Sequence, residues 1–153
     1  MGWEGLILSL VSAVSYGTLF NVPIRTLWAG GLVAMLGWAI FITMPIFDVK
    51  PALSIFIAAT FVSLMSQVLS VRLRVPSTNF SISGVIPLVP GATAYRSMFA
   101  FVNGDNIGGI TLSVQTSLEA GAIASGLILG LSLFSVWKGF VTRYALAKRP
   151  KTN

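Results

Sequence analysis

Five long runs without a charged residue constrain this chain more than any other feature of its sequence. They cover residues 5–22, 26–47, 51–71, 75–95 and 120–137. Each run reaches the roughly 17 to 25 residues that a helix needs to cross a bilayer. Only 9% of the 153 residues are charged, against about 25% in soluble domains. The sequence therefore predicts an all-α integral membrane protein.

We expect a single transmembrane domain over residues 1–153, folded as a bundle of about five transmembrane helices. The predicted spans are residues about 5–22, 27–47, 51–71, 80–102 and 117–137, followed by a basic tail over 138–153. Four spans remain the alternative if the fourth segment is re-entrant. The opening Met1-Gly-Trp-Glu4 is not a basic leader, so we expect the first run to be retained as a span.

The positive charges are distributed unevenly between the predicted loops. With five spans, Arg25, Arg72, Arg74 and the tail, together eight of the ten Lys and Arg residues, fall on one side. This bias is the positive-inside signature, and it predicts a plasma-membrane protein with its N-terminus outside and its C-terminus in the cytoplasm. We expect the basic tail to contact anionic lipid headgroups and not nucleic acid.

The residue types that are missing exclude several kinds of chemistry. The chain has no cysteine and no histidine, and only four acidic residues. Disulfides, thiol chemistry and histidine-based metal sites or catalytic bases are therefore excluded. We expect neither a cofactor, a metal nor an enzymatic activity.

The predicted fourth span is interrupted by Pro87 and Pro90, which a regular helix cannot accommodate. Irregular backbone at membrane depth is tolerated only where it is buried in protein or lines a cavity. We expect the break at Pro87–Gly91 to lie near the middle of the membrane, with its least helical point at Gly91. Pro90 would then open a second half-helix, whose free amide groups at Gly91, Ala92 and Thr93 could bind an anion.

Arg96 follows this break by about one and a half turns and adds a fixed positive charge, with the hydroxyl of Tyr95 beside it. We expect Arg96 to face the protein interior or a cavity, because a charge in hydrocarbon costs at least about 2.5 kcal/mol. Discontinuous helices bind substrate carboxylates in transporters. The alternative is a proline kink that only shapes the bundle, with Arg96 reaching the outer headgroups.

Three further polar residues are candidates with two interpretations each. Asn21, at the end of the first span, either contacts substrate or simply lies where the helix stops before Pro23. Gln67 in the third span either contacts substrate or cross-links helices. Glu119 is a candidate for proton coupling, since apolar surroundings disfavour a charged carboxyl group, or it lies in the outer headgroup layer.

A stripe of small residues, Ala122, Gly126 and Gly130, marks one face of the fifth span. Small residues four apart allow helix backbones to approach closely in lipid. The stripe indicates either packing within the bundle or contact with another subunit, and we take it as the candidate docking face.

Two segments taken together resemble the threonine/serine exporter (ThrE) family. They are "FNVPIR" after the first span and "FSISGVIPLVPGATAYRSM" in the fourth. The resemblance is to the C-terminal membrane domain, which also exists as a separate small subunit of the YjjB type. It covers nearly the whole chain, and it implicates the motif positions Asn21, Pro23, Arg25, Pro87, Pro90, Gly91, Tyr95 and Arg96.

The resemblance implies export of threonine and serine, or of succinate, and a larger membrane subunit as partner. We therefore predict a membrane subunit of a two-component secondary exporter for a small carboxylate-bearing metabolite, driven by the proton gradient. Because five spans without a repeat offer no second half to move against, we expect a homo- or hetero-oligomer. The alternative is a scaffold subunit that does not transport but stabilises its larger partner.

Overall fold

The computed structural model describes residues 3–147, with side chains over residues 4–140. All regular elements in this range are helical, which confirms the predicted all-α class. The helices are α1 (Trp3–Leu19), α2 (Ile24–Thr43), α3 (Pro51–Leu73), α4 (Thr78–Val85), α5 (Gly91–Val102) and α6 (Asn106–Ala147). Short 3-10 turns, Met44–Phe47 and Ile86–Leu88, extend α2 and α4. Residues 148–153 of the predicted basic tail lie outside the described residues.

Three of the described helical segments are long and apolar enough to cross a membrane: Ile24–Phe47, Pro51–Leu73 and Asn106–Phe140. Thr78–Leu88 and Gly91–Val102 together form a fourth, bent by 48° at the break. At 17 residues, α1 measures only about 26 Å, slightly less than the roughly 30 Å hydrocarbon layer. The predicted count of about five spans is therefore approximate.

The direction of α6 bears on whether the broken segment crosses the bundle. Gly126 lies against Phe56 and Ala59 of α3, and Gly130, one turn further along, lies against Thr60 and Ser63. Residue numbers rise together on both helices, so α3 and α6 run parallel. The intervening α4–α5 pair must then carry the chain back from one end of α3 to the other. This favours a broken span over the re-entrant alternative.

The centre of the bundle is where α2, α3 and α4 approach each other around Val62. The Val62 side chain is fully buried and belongs to the main apolar core. A Cβ atom added to Gly37 of α2 would lie 2.6 Å from Val62 Cγ2, and one added to Gly84 of α4 would lie 2.7 Å from Val62 Cγ1. A side chain at either position would collide with Val62, because the backbones of α2 and α4 lie in direct contact with the Val62 side chain.

The small-residue stripe of α6 packs against α3. A Cβ atom at Gly126 would lie 2.7 Å from the carbonyl oxygen of Phe56, and one at Gly130 would lie 2.5 Å from Ser63 Cβ. Ser63 Oγ also donates a hydrogen bond to the carbonyl of Leu127 at 2.9 Å. Packing within the bundle is thus confirmed. The expectation that this stripe is the docking face for another subunit is wrong, because α3 already occupies it.

The beginning of α6 departs most from the predicted spans. We predicted a helix from about residue 117, but α6 begins at Asn106, where Asp105 Oδ1 accepts a hydrogen bond from the amide of Gly108 at 2.9 Å. The 42 residues of α6 measure about 63 Å. Its first part pairs with α5: Ser97 Oγ lies 2.6 Å from Ser113 Oγ and donates to the carbonyl of Gly109 at 2.9 Å.

Candidate functional site: a cavity beside the broken helix

The break in the fourth span has a defined local geometry. The helix α4 ends at Val85, and a single 3-10 turn over Ile86–Leu88 follows. Val89 is extended (φ −61°, ψ 128°), Pro90 has a ψ of 54°, and α5 begins at Gly91. The predicted break is therefore confirmed. Its least helical residues are Val89 and Pro90, not Gly91, because a residue that precedes proline is pushed out of the helical region.

A half-open cavity of about 350 Å³ lies beside this break, and Gly91 and Ala92 on its wall are exposed. That volume is within the range of small-molecule sites, roughly 300 to 1,000 Å³. Four elements line it: two aromatic side chains of α2, one aliphatic side chain of α3, the break with the start of α5, and the Glu119 residue of α6. The lining residues are Trp38, Phe41, Ile55, the segment 87–93 and Glu119. Four predicted site residues, Pro87, Pro90, Gly91 and Ala92, are thus brought together.

The cavity lies off the centre of the bundle. Val62 is the midpoint of α3, whereas Ile55 is seven residues nearer its start, a distance of about 10 Å along the axis. Phe41, on the other wall, is two residues from the end of α2. The break therefore lies nearer to one end of α2 and α3 than to their middle, and the expectation that it lies near the middle of the membrane stays a prediction. The residue of the broken segment that lies at the centre of the bundle, against Val62, is Gly84, which precedes the break.

The first turn of α5 lines this cavity and contains backbone donors without an acceptor. The Gly91 amide donates a hydrogen bond to the carbonyl of Val89 at 2.7 Å, and no side chain caps the helix. The amides of Ala92 and Thr93 have neither a helical acceptor nor another recorded partner among the described residues. With the positive end of the helix dipole, these donors favour a negatively charged group. A Cβ atom added to Gly91 would meet nothing within 4 Å, so the approach is open.

Glu119 places a carboxyl group in the same cavity. Its side chain is only 5% exposed. Oε1 accepts a hydrogen bond from Nε2 of Gln115, one turn earlier on α6, at 2.9 Å, and no bond to Oε2 is recorded among the described residues. Glu119 is the fourteenth residue of α6, and its side chain lines the cavity. Its two interpretations, proton coupling and a place in the outer headgroup layer, both stay predictions.

Trp38 is the functional candidate that the sequence reasoning missed. Its indole Nε1 is buried without a hydrogen-bond partner, and it lies 2.6 Å from where a Cβ of Gly5 would be. Trp38 and Pro87 also line a neighbouring apolar surface groove of about 280 Å³ beside α1. A signal was available, since tryptophan is normally enriched at membrane interfaces and Trp38 lies well inside an uncharged run.

Arg96 and Tyr95 do not line the cavity. Ser97 is the buried residue of α5, and it holds that helix against α6. Arg96 is exposed and Tyr95 is 68% exposed on the surface of this chain. The expectation that Arg96 faces an interior cavity is therefore not met within this chain, and the positive end of the site is the helix terminus alone.

Asn21 and Gln67 match the simpler of their two interpretations. Asn21 follows the end of α1 and has a φ of 54°. Its amide donates a hydrogen bond to the carbonyl of Thr18 at 3.2 Å, and the amide of Val22 donates to the carbonyl of Gly17 at 3.0 Å. This pair of hydrogen bonds is a Schellman motif. Gln67 Nε2 donates to Ser77 Oγ at 3.2 Å, which ties α3 to the segment before α4. Neither residue lines the large cavity.

A smaller cavity of about 120 Å³ lies toward the other end of α4. It is lined by residues of α1, its following turn, and α4, and several of them are polar: Tyr16, Thr78, Asn79 and Ser83. Gly84, the next residue, is closely packed against Val33 and Val62. The chain thus runs from the smaller cavity, past the closely packed Gly84, to the large cavity that begins at Pro87.

The fold defines a multi-pass helical membrane protein with an interrupted helix beside a half-open cavity. The family model of the threonine/serine exporters, ThrE, matches residues 5–133, and the chain belongs to that family.

Two relatives carry the same description. A "Probable threonine/serine exporter" of Mycobacterium tuberculosis (strain ATCC 25618 / H37Rv) is 29% identical over 140 residues, which is 86% of this chain and 26% of that protein. The "Threonine/serine exporter" of Corynebacterium glutamicum is 31% identical over 100 residues, which is 65% of this chain and 20% of that protein. The chain thus spans about a quarter or less of these relatives. No solved structure matches the chain.

Proposed function

We propose that this chain is the membrane subunit of a two-component secondary exporter for a small carboxylate-bearing metabolite, threonine or serine or alternatively succinate. The substrate occupies the cavity beside the break. The observation that carries this proposal is that unpaired amides at the start of α5 and a buried carboxyl group line one cavity. A carboxylate is common to all three substrates, and a helix N-terminus is suited to bind it.

A second, larger membrane subunit completes the exporter in this proposal. Support comes from the relatives, of which this chain matches 26% and 20%. Alternating access commonly moves one bundle against another around a fixed site, and this chain provides one bundle. The outward face of α5, with Met98 70% and Phe99 55% exposed, would meet lipid or that partner, and Arg96 and Tyr95 lie on the same helix.

Proton coupling and orientation belong to the same proposal. Glu119 is the candidate proton carrier, since it is the buried carboxyl group of the described residues. From the positive-inside bias we infer that the C-terminus lies in the cytoplasm, and we take the plasma membrane as the location. In that orientation the large cavity lies toward the outer side, because the loop with Asp48 and Lys50 closes the same end of α2 and α3.

Transport in proteoliposomes tests the proposal, with the purified chain alone and with its larger subunit, across L-threonine, L-serine and succinate. We expect efflux only from the pair. Gly91→Leu should lower efflux by filling open space at the cavity, whereas Gly121→Leu, also in open space but outside it, should not.

The alternative is a scaffold that stabilises a partner holding the whole substrate site. The cavity between α2, α3, α5 and α6 favours transport over this alternative, since a scaffold has no need of an enclosed carboxyl group. Normal efflux by the complex of the Gly91→Leu chain with the larger subunit, at an unchanged level of that subunit, would favour the scaffold and contradict the proposal.

A further inference from the structure

The hairpin made of α5 and the beginning of α6 extends past the end of the bundle. Gly126 of α6 lies against Phe56 and the two helices run parallel, so Pro51, five residues before Phe56, is level with about residue 121. Residues 106–120 of α6 therefore lie beyond the start of α3, over about 22 Å, and α5 is bonded alongside them. The helices α2 and α3, with 20 and 23 residues, already match a hydrocarbon layer of roughly 30 Å. Where they cross a bilayer, the hairpin extends past the lipid tails.

An apolar stripe, the α5 stripe, runs along the side of α5 that faces away from α6. Ser97 holds the opposite side of α5 against α6. The residues of the α5 stripe recur three and four residues apart, which is the spacing of a coiled-coil seam, and Arg96 lies beside the stripe and not in it. All four are exposed: Tyr95 68%, Met98 70%, Phe99 55% and Val102 83%. The described residues thus leave this face of α5 uncovered.

We propose that the α5 stripe pairs with the same stripe of a second copy of this chain. The inference goes beyond the proposed function, and it assigns to the second copy a face that the exporter proposal leaves to lipid or to the larger subunit. Two copies in one bilayer extend their hairpins from the same side to the same height. A two-fold axis along the membrane normal therefore brings the two stripes together in register, as in a parallel coiled coil.

The arrangement of residues in the α5 stripe fits pairing with itself. With Phe99 at an a position and Tyr95 and Val102 at d positions, equivalent side chains meet across the two-fold axis. Arg96 then occupies an e position, which in a parallel pair faces a g position of the second copy and not the other Arg96. Two copies therefore bring apolar side chains together without bringing like charges together. Aromatic side chains and Met are also residue types that are enriched at protein interfaces.

The size of the α5 stripe is sufficient for a specific contact between two copies. At the exposures given above, and with about 200 Å² for each large side chain, two facing stripes bury on the order of 1,000 Å² in total. That area reaches the lower limit of roughly 1,000 Å² for a specific protein interface. Both copies are also confined to one bilayer in the same orientation, so part of the rotational freedom that association costs is already lost.

Single cysteines test the pairing directly, because the chain itself has no cysteine. The full chain with Val102→Cys is placed in vesicles at a low protein-to-lipid ratio and oxidised with copper phenanthroline. The matched control is Ile46→Cys, which is 78% exposed at the same end of the bundle but outside the hairpin. We expect at least about tenfold more covalent dimer from Val102→Cys, because a disulfide forms only between side chains that are held close together.

Reversing charges at the centre of the α5 stripe tests whether the partner is the same stripe. Two differently tagged copies of the chain should copurify. Two Phe99→Glu copies, or two Phe99→Lys copies, should copurify at least about tenfold less, since like charges then meet across the axis. A mixture of Phe99→Glu and Phe99→Lys copies should copurify again, and Ile46→Glu copies should copurify like the unsubstituted chain. Thermal unfolding verifies that each variant is folded, which the exposure of both side chains favours.

Three results would overturn the inference. Equal amounts of covalent dimer from Val102→Cys and Ile46→Cys would leave the α5 stripe to lipid or solvent. A Val102→Cys chain that cross-links to the larger subunit in the exporter complex, and not to its own copy, would assign the face to that subunit. Folded Phe99→Glu copies that copurify as well as unsubstituted copies would show that the chain associates through another face. Each measurement is made without efflux, so any of these results leaves the exporter proposal standing, and a chain that exports nothing can still form the dimer.

Discussion

Replacing Gly126 with alanine should destabilise this protein, although the same change in an open part of the helix should stabilise it. The added Cβ atom would lie 2.7 Å from the carbonyl oxygen of Phe56, 2.9 Å from Ala59 Cβ and 3.1 Å from the amide nitrogen of Thr60. Two of these three atoms belong to the α3 backbone and cannot rotate away. The helices α3 and α6 would have to separate by a few tenths of an ångström or more.

The magnitude follows from two opposing terms. Overpacking a well-filled interface costs about 1 to 3 kcal/mol, while Gly→Ala within a helix gains roughly 0.5 to 1 kcal/mol. Gly121→Ala isolates the second term, because a Cβ atom there would meet nothing within 4 Å. The propensity gain cancels when the two variants are compared. Gly126→Ala should therefore be less stable than Gly121→Ala by about 1 to 3 kcal/mol.

Reversible unfolding in mixed micelles, followed by the loss of helical circular dichroism as denaturing detergent is added, measures this difference in the free energy of unfolding. Ser63→Ala provides an independent probe, because it removes the hydrogen bond to the Leu127 carbonyl at the same interface and should cost about 0.5 to 1.5 kcal/mol. Equal stabilities for Gly126→Ala and Gly121→Ala would refute the close approach of α3 and α6. The stripe would then again be free to dock on another subunit.

Three other predictions concern the site, a helix end and the topology. Gly91→Leu should lower threonine efflux at unchanged thermal stability, because a side chain there enters open space at the cavity; equal efflux in Gly91→Leu and Gly121→Leu proteins would contradict it. Asn21→Ala should lower the free energy of unfolding by about 1 kcal/mol while Asn21→Gly should not, since φ is 54°; equal effects would argue against the Schellman end. Reporters fused at the C-terminus and beside Asp105 should give a cytoplasmic and an external signal respectively; a cytoplasmic signal at Asp105 would refute the orientation.

The long uncharged runs and the two prolines were sufficient to predict the class of fold and the position of its break. Both features act locally: apolar length determines whether a helix can span, and proline removes a backbone donor wherever it occurs. Even the displacement of the least helical point from Gly91 to Val89 and Pro90 follows from a local rule on residues before proline. The family resemblance carried by the same segment agrees with the match over residues 5–133.

The role of the small-residue stripe could not be predicted from the sequence. Ala122, Gly126 and Gly130 fit equally well against a neighbouring helix or against another subunit, since both bring backbones together by the same packing. Only the fold shows that Phe56 and Thr60 fill the space in front of them. The same ambiguity affected Arg96, whose direction depends on which face of α5 Ser97 holds against α6.

The start of the helix that carries Glu119 was misplaced for a physical reason. The segment before it, rich in Thr, Ser and Gly, reads as a loop because hydroxyl side chains compete with the helix for backbone groups. Here those hydroxyls donate to carbonyls one turn back within the helix: Thr111 to Ile107, Ser113 to Gly109, Thr116 to Leu112 and Ser117 to Ser113. Their polarity is satisfied inside α6, so the helix continues through them. Glu119 consequently lies within a helix, where Gln115, one turn earlier, donates a hydrogen bond to its carboxyl group.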